Sequence, residues 1–248
     1  NENWVVFCLF NKTKLVNINK VNFLHQKKST FILKTIKKYL KSFSKNNTPN
    51  KVKLIYYNKS SALVPHDLFD DKNSLNYLKY NTRIKINDLA ANDLILEDQI
   101  NNVYIPHTDI NNYIFEKFKA FDFYHYSSVL LEKLSNELTD SFSQKVFLNI
   151  NNNFIDILYF KNKQLIFFNS FDYKSKEDIL YYLLFTFSEL SLNPDNIHLV
   201  CCGLIDLDSE LYALLYNYIR NIELLEFHEI EGIESSILKS NVLLSSFQ

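Results

Sequence analysis

The stretch that most narrows the folding choices is "KVFLNINNNFIDILYFKNKQLIFFNSFDY", Lys145 to Tyr173. Three apolar, β-branched and aromatic runs are separated by short polar turns at Asn151 to Asn153 and at Lys161 to Lys163. Runs of that length, broken by turn-forming residues, predict an antiparallel three-stranded meander. Asn tolerates a left-handed backbone better than other non-glycine residues, which suits it to the first turn. Ser175, with Asp178 three residues on, predicts a capped helix start. Ile179, Leu180, Leu183, Leu184, Phe187 and Leu190 then recur at helical spacing until the chain nears Pro194.

A buried-type strand, "IHLVCCG", a helix, "SELYALLYNYIRN", and a last strand, "ELLEF", complete the series. Three antiparallel strands followed by helix, strand, helix and strand is the order of an RNase-H-like unit. The first part of the chain follows a looser version. "WVVFCLF" and "KLVNINKVNF" read as a hairpin, and Ser29 or Thr30 opens an amphipathic helix with Phe31, Ile32, Ile36, Tyr39, Leu40 and Phe43 on its apolar side. "KVKLIYYN" and "SALVP" read as two more strands, "SLNYLKY" as a helix, "DLILEDQ" with "NVYIP" as a strand pair, and Asp109 to Phe118 as a helix. "FDFYHYSSVLLEKLSNEL" reads as a strand or turn entering another helix, and the polar "TDSFSQK" that follows is the expected boundary. The organisation expected is therefore an α/β protein with mixed sheets and two lobes, residues 1–145 and 146–248. Two RNase-H-like units in tandem describe the duplicated actin-like ATPase architecture.

Composition removes several function classes. Two glycines in 248 residues, Gly203 and Gly232, leave no phosphate-binding loop and no GxGxxG fingerprint. Three cysteines, Cys8, Cys201 and Cys202, sit inside apolar runs and give neither a disulfide framework nor metal-binding spacing. No apolar run approaches the roughly 20 residues of a membrane span, so a cytoplasmic protein without a transmembrane segment is expected. Charge is uneven: residues 1–60 hold 13 lysines and one acid, Glu2, which leaves 14 basic and 27 acidic residues beyond them. Lys34, Lys37, Lys38, Lys41 and Lys45 give the first helix a basic face. That face is either a solvated surface or a polyanion-binding one, and nucleic acid is the partner it would take.

The stretches "VPHDLFD", "YIPHTDINNYIFEKF", "FFNSFDYKSKEDILYYLLFTFSELSLNPDN" and "DSELYALLYNYIRN" resemble an uncharacterised bacterial family, a domain of unknown function with an actin-like ATPase fold. The resemblance runs from about Trp4 to Phe227. It implies the fold and no chemistry, because these stretches are family signatures rather than catalytic motifs. Relatives have one further strand ahead of the position of Trp4, so the resemblance also implies a first lobe without its first strand, with Asn1 to Asn3 in the turn after it.

Actin-like ATPases resemble one another in a D-x-G hairpin turn in each lobe and in a glycine-rich segment beside the adenosine. At the matching place in the second lobe this chain has Asn149, Ile150 and Asn151. Asn149 lacks the charge that holds a magnesium ion, and Asn151 puts a side chain where backbone must meet phosphate. "LFNKTKLV" in the first lobe offers neither Asp nor Gly, and "CCGLIDLD" offers only Gly203, with Asp206 and Asp208 after it. The expectation is a degenerate fold with no cofactor and no catalytic residue, acting as a binding or scaffold protein for an unidentified protein partner. The alternative is a nucleotide-binding ATPase or kinase-like enzyme with a non-standard site at Asn149, Asn151, Gly203 and Asp206.

The repeated Pro-His pair, in "LVPHDLF" and "YIPHTDI", places His66, Asp67, His107 and Asp109 at strand ends. Two His and two carboxylates make a divalent-metal site if the loops converge. Otherwise each Pro ends a ladder and each following residue starts a helix. His25, His125, His198 and His228 accompany no recognisable nucleophile, and Ser127 and Ser128 follow His125 without a GxSxG elbow.

Overall fold

A computed structural model of the chain describes residues 4–12, 14–23, 28–43, 49–58, 60–138 and 144–225. Asn1 to Asn3, His25, Lys45, most of "TDSFSQK", His228 and Gly232 lie outside the described residues. The described residues form twelve strands and six α-helices, grouped into two compact units: Asn1–Phe10 with Val16–Glu132, and Asn11–Leu15 with Lys133–Gln248.

The second unit contains β8 (Gln144–Ile150), β9 (Phe154–Lys161), β10 (Gln164–Asp172), α5 (Lys176–Glu189), β11 (His198–Gly203), α6 (Glu210–Tyr216) and β12 (Asn221–Leu224). Its five strands lie in the order β10-β9-β8-β11-β12, with the first three antiparallel and β8, β11 and β12 parallel. Period-two alternation sorts the side chains of β8, β9 and β11 onto two faces. Val146, Leu148, Ile150, Ile155, Ile157, Tyr159, Leu199 and Cys201 pack on Ile179, Leu183 and Phe187 of α5 and Leu215 of α6. The intervening residues, among them Phe147, Asn149, Asp156, Leu158, Phe160 and Cys202, point to the other face and are equally buried. Burial on both faces explains the near-continuous apolar runs.

The start of α5 is the expected capping box: the Ser175 side chain accepts from the Asp178 N–H, and the Asp178 carboxylate accepts from the Ser175 N–H. Left-handed backbone sits in the second turn, at Asn162 and Lys163, and not at Asn151 to Asn153. The first turn closes instead through the Asn151 N–H, which donates to the Phe154 carbonyl.

The first unit has the hairpin β1 (Trp4–Asn11) and β2 (Lys14–Asn22), then α1 (Ser29–Phe43) and β3 (Lys53–Tyr56). β4 (Ser61–Pro65), α2 (Ser74–Leu78), β5 (Ala91–Ile95) and β6 (Ile100–Tyr104) are inserted before α3 (Thr108–Phe118), β7 (Asp122–His125) and α4 (Tyr126–Ser135). The insert is an antiparallel sheet, β4-β6-β5, whereas β3 pairs in parallel with the distant β7. This insertion is why the first part reads as a looser copy of the second. Ile32 and Ile36 of α1 and Ile110 and Ile114 of α3 form its helical core, against Val5, Phe7 and Leu54. Among the described residues, β1–β2 and β3–β7 are separate two-stranded ladders.

Candidate functional site

The hairpin β8–β9 carries a polar row laid straight across the sheet. The register pairs Cys202 with Asn149, Asn149 with Asp156, and Asp156 with Ser170, one residue from each of four adjacent strands. Their side chains bond in that order. The Asn149 amide Nδ2 donates to Asp156 Oδ2 at 2.9 Å, the Ser170 hydroxyl donates to Asp156 Oδ1, and the Cys202 thiol donates to Asn149 Oδ1 at 3.6 Å. Asn151 adds a second amide to Asp156 Oδ2, at 3.3 Å, and its carbonyl accepts from the Tyr173 hydroxyl. Asn149 and Asp156 are both fully buried. A carboxylate thus exists at this hairpin, but on β9 rather than β8, and three neutral donors surround it. Burial pushes the Cys201 thiol up to about 12 and the Cys202 thiol well above its ordinary value.

Gly203 ends β11 with φ +89°, and an added Cβ would meet the Ile150 backbone, its nitrogen at 2.9 Å and its carbonyl nearer still. The Ile150 carbonyl also accepts from the Leu204 N–H at 2.9 Å. Close passage of two strands therefore accounts for the glycine. Asp206 lies in the following turn, its carbonyl accepting from the Ser209 hydroxyl and N–H, and Ser209 caps α6. Asp206 and Asp208 follow Gly203 in this loop, and Glu210 in the first turn of α6 is ion-paired to Lys176 at the start of α5.

The Pro-His pairs stay apart. Pro65 pairs with Ile100 and Ser61 with Tyr104, so His66 leaves one end of the β4–β6 ladder and His107 the other, about 13 Å of strand away. His66 Nδ1 lies 2.8 Å from Asn101 Oδ1. The Tyr56 hydroxyl donates to Asn111 Oδ1 at 2.7 Å and lies 3.3 Å from the His107 carbonyl. Burial, then the nearby Asp109, pushes the Tyr56 phenol up. Asp67 sits in an exposed 3-10 turn, and Asp109 Oδ1 accepts from the Ile110 N–H within the first turn of α3. Among the described residues no three His, Cys, Asp or Glu side chains come together as a metal would require.

A second buried polar cluster joins His125, Ser127 and Ser128 to Asp93, Asn102 and Tyr104, which lie far from them in sequence. Asp93 Oδ1 accepts from Tyr104, and its Oδ2 accepts from the His125 N–H and the Ser128 hydroxyl. Asn102 Nδ2 donates to Ser127 and Ser128, each at 2.8 Å. His125 Nε2 donates to the Asn58 carbonyl at 3.0 Å, which leaves Nδ1 to accept from Ser127 at 2.7 Å. Ser127 and His125 are both buried, so this pair ties β5, β6 and β7 together rather than meeting a substrate. A signal did exist: "ANDLI" and "INNVY" place Asn and Asp inside strands, where their propensity is poor.

Lys34, Lys38 and Lys41 lie exposed on one side of α1, while Lys37 sits 4.8 Å over the Tyr113 ring. No helix among the described residues is long and apolar enough to cross a membrane.

The fold is that of actin-like ATPases. The chain is similar to a Bacteroides thetaiotaomicron protein with actin-like ATPase fold and unknown function, at TM-score 0.71 and 17% identity, over 98% of this chain and 96% of that one. It is also similar to a chain of the PilM-PilN type IV pilus biogenesis complex, at TM-score 0.57 and 11% identity, over 98% and 93%. A search of curated protein sequences finds no match. Residues 1–222 match the profile of proteins of unknown function called DUF3822, and the chain belongs to that family.

Proposed function

We propose that this chain is a binding or scaffold protein of the cytoplasm, built on an actin-like fold that neither holds nor hydrolyses nucleotide. The observation that carries the reading is the row Cys202–Asn149–Asp156–Ser170. At the hairpin where this fold places its phosphate and metal contacts, Asn149 has its amide oxygen and nitrogen bonded within the sheet. Gly203 is taken up by strand packing, and the loop ends beside it carry acids that repel phosphate. PilM, of similar fold, is found in a complex with PilN, which supports the fold as a platform for a protein partner.

The competing reading is a nucleotide-dependent enzyme working near Gly203 and Asp206. A turnover assay with magnesium-ATP, run on wild type and on Asp206→Asn, separates the two. The binding-protein reading expects no phosphate release from either. Release that the substitution abolishes would establish the enzyme instead.

A further inference from the structure

The helix α5 carries large aromatic residues on its solvent side as well as apolar ones on its core side, whereas a surface helix ordinarily keeps its outer side polar. Ile179, Leu183 and Phe187 face the core, as they should. Its outward row, at four-residue spacing, is Glu177, Tyr181, Phe185 and Glu189. Tyr181 is 62% exposed and Phe185 47%, and their rings stack with centroids 6.1 Å apart and planes 17° from parallel. Two neighbouring aromatic rings between two acids, held on a rigid helix, form a face with a defined chemistry: flat π surfaces for cations or rings, and a negative charge at each end.

The complement exists on the same chain. On α1, Phe31, Lys34, Lys38 and Lys41 make one exposed row at spacings of three, four and three, with Phe31 45% exposed. The rows are of similar length, about 15 Å from Phe31 to Lys41 and about 18 Å from Glu177 to Glu189, and the three lysines span about 10 Å of the first, a difference their long side chains bridge. Like-with-like pairing is disfavoured: antiparallel α5 against α5 sets Glu177 on Glu189, and α1 against α1 sets lysines on lysines. We propose that the aromatic row of α5 docks the lysine row of α1 from a second copy of this chain. Lys38 sits over the stacked pair of Tyr181 and Phe185, and the outer lysines, Lys34 and Lys41, reach along the helix to Glu177 and Glu189. Because the two patches differ, two copies either exchange them about a two-fold axis, each giving α1 and α5, or add head to tail. One helix pair is a small interface, so the association is weak and depends on concentration and salt.

The inference rests on the reading of this chain as a binding protein, and its test does not depend on nucleotide. Sedimentation equilibrium near 50 mM salt is expected to show a mass average that climbs with concentration to the dimer or beyond, and to return to monomer near 0.5 M salt, where screening shortens to a few ångströms. Lys34→Glu with Lys38→Glu and Lys41→Glu, and separately Glu177→Lys with Glu189→Lys, are each expected to leave monomers, and an equal mixture of the two variants is expected to associate again. Tyr181→Ser with Phe185→Ser, confirmed folded by circular dichroism, is expected to abolish association without a change in charge. A wild type that stays monomeric at low salt overturns the proposal. So does association that survives either charge reversal, or a monomer whose lysine row binds duplex DNA with a steep salt dependence. Nucleotide turnover would defeat the binding-protein reading and leave these sedimentation results to be judged separately.

Discussion

Asn149 and Asp156 face each other across the β8–β9 ladder, and the Asn149 amide donates to the Asp156 carboxylate at 2.9 Å inside a fully buried site. The pair turns the polar chemistry of this hairpin into cross-strand structure. A carboxylate so placed is satisfied by Asn149, Asn151 and Ser170 and stabilises the sheet only while those donors remain.

Asn149→Asp supplies the acid that the hairpin of an ATPase would carry, and the structure expects it to be harmful. Two buried carboxylates at hydrogen-bonding distance cannot both ionise. Urea unfolding at neutral pH is expected to show a loss of about 2–4 kcal/mol, shrinking in acid as the pair keeps a proton. Unchanged stability would contradict the inward placement of residue 149.

Gly203→Ala is expected to destabilise strongly, by about 3 kcal/mol or more, because positive φ and the Ile150 backbone both exclude a side chain. The thermal midpoint checks this. A variant as stable as wild type would mean that the end of β11 has room, as a ligand loop would.

The buried histidine sets a pH dependence. Burial pulls His125 down to about 4, while its unfolded value is about 6.5. The folded protein therefore keeps this imidazole neutral where the unfolded chain takes up a proton. Its contribution is complete above about pH 6.5 and is lost as pH falls towards 4, a span worth about 3 kcal/mol. Asp93, whose carboxyl burial raises, acts in the opposite sense and trims the loss at the acid end. Denaturant midpoints should fall over this range for wild type. His125→Asn should start lower and fall less, and parallel curves would contradict the assignment.

Ser175→Ala removes one half of the capping box at the start of α5 and is expected to cost about 1 kcal/mol by thermal unfolding. No change at all would mean that the box is not formed in solution.

The second unit was legible because its signals are local. Turn residues, the Ser175–Asp178 spacing and the apolar period of α5 each act within a few residues, and the meander order β10-β9-β8 follows from the turns. The first unit was less so, because β3 pairs with β7 some 69 positions later while β4, β5 and β6 intervene. The adjacent runs "KVKLIYYN" and "SALVP" give no hint that they belong to different sheets. At the hairpin, the missing Asp and Gly were visible as Asn149 and Asn151. The replacement carboxylate was not, since Asp156 looks like one polar residue in an apolar strand until the register sets it opposite Asn149. The Asp93–Asn102–His125 cluster was hidden for the same reason: these three residues are 9 to 32 positions apart and meet only through the fold.

On the function proposed, the hairpin at Asn149 to Asn151 takes up no nucleotide, its polar groups being bonded within the sheet. Isothermal titration of the chain with magnesium-ATP tests it most directly. The account predicts no heat of binding up to millimolar nucleotide, in wild type and in Asp206→Asn alike. Saturable micromolar binding, lost on substitution of Asp206, would contradict it.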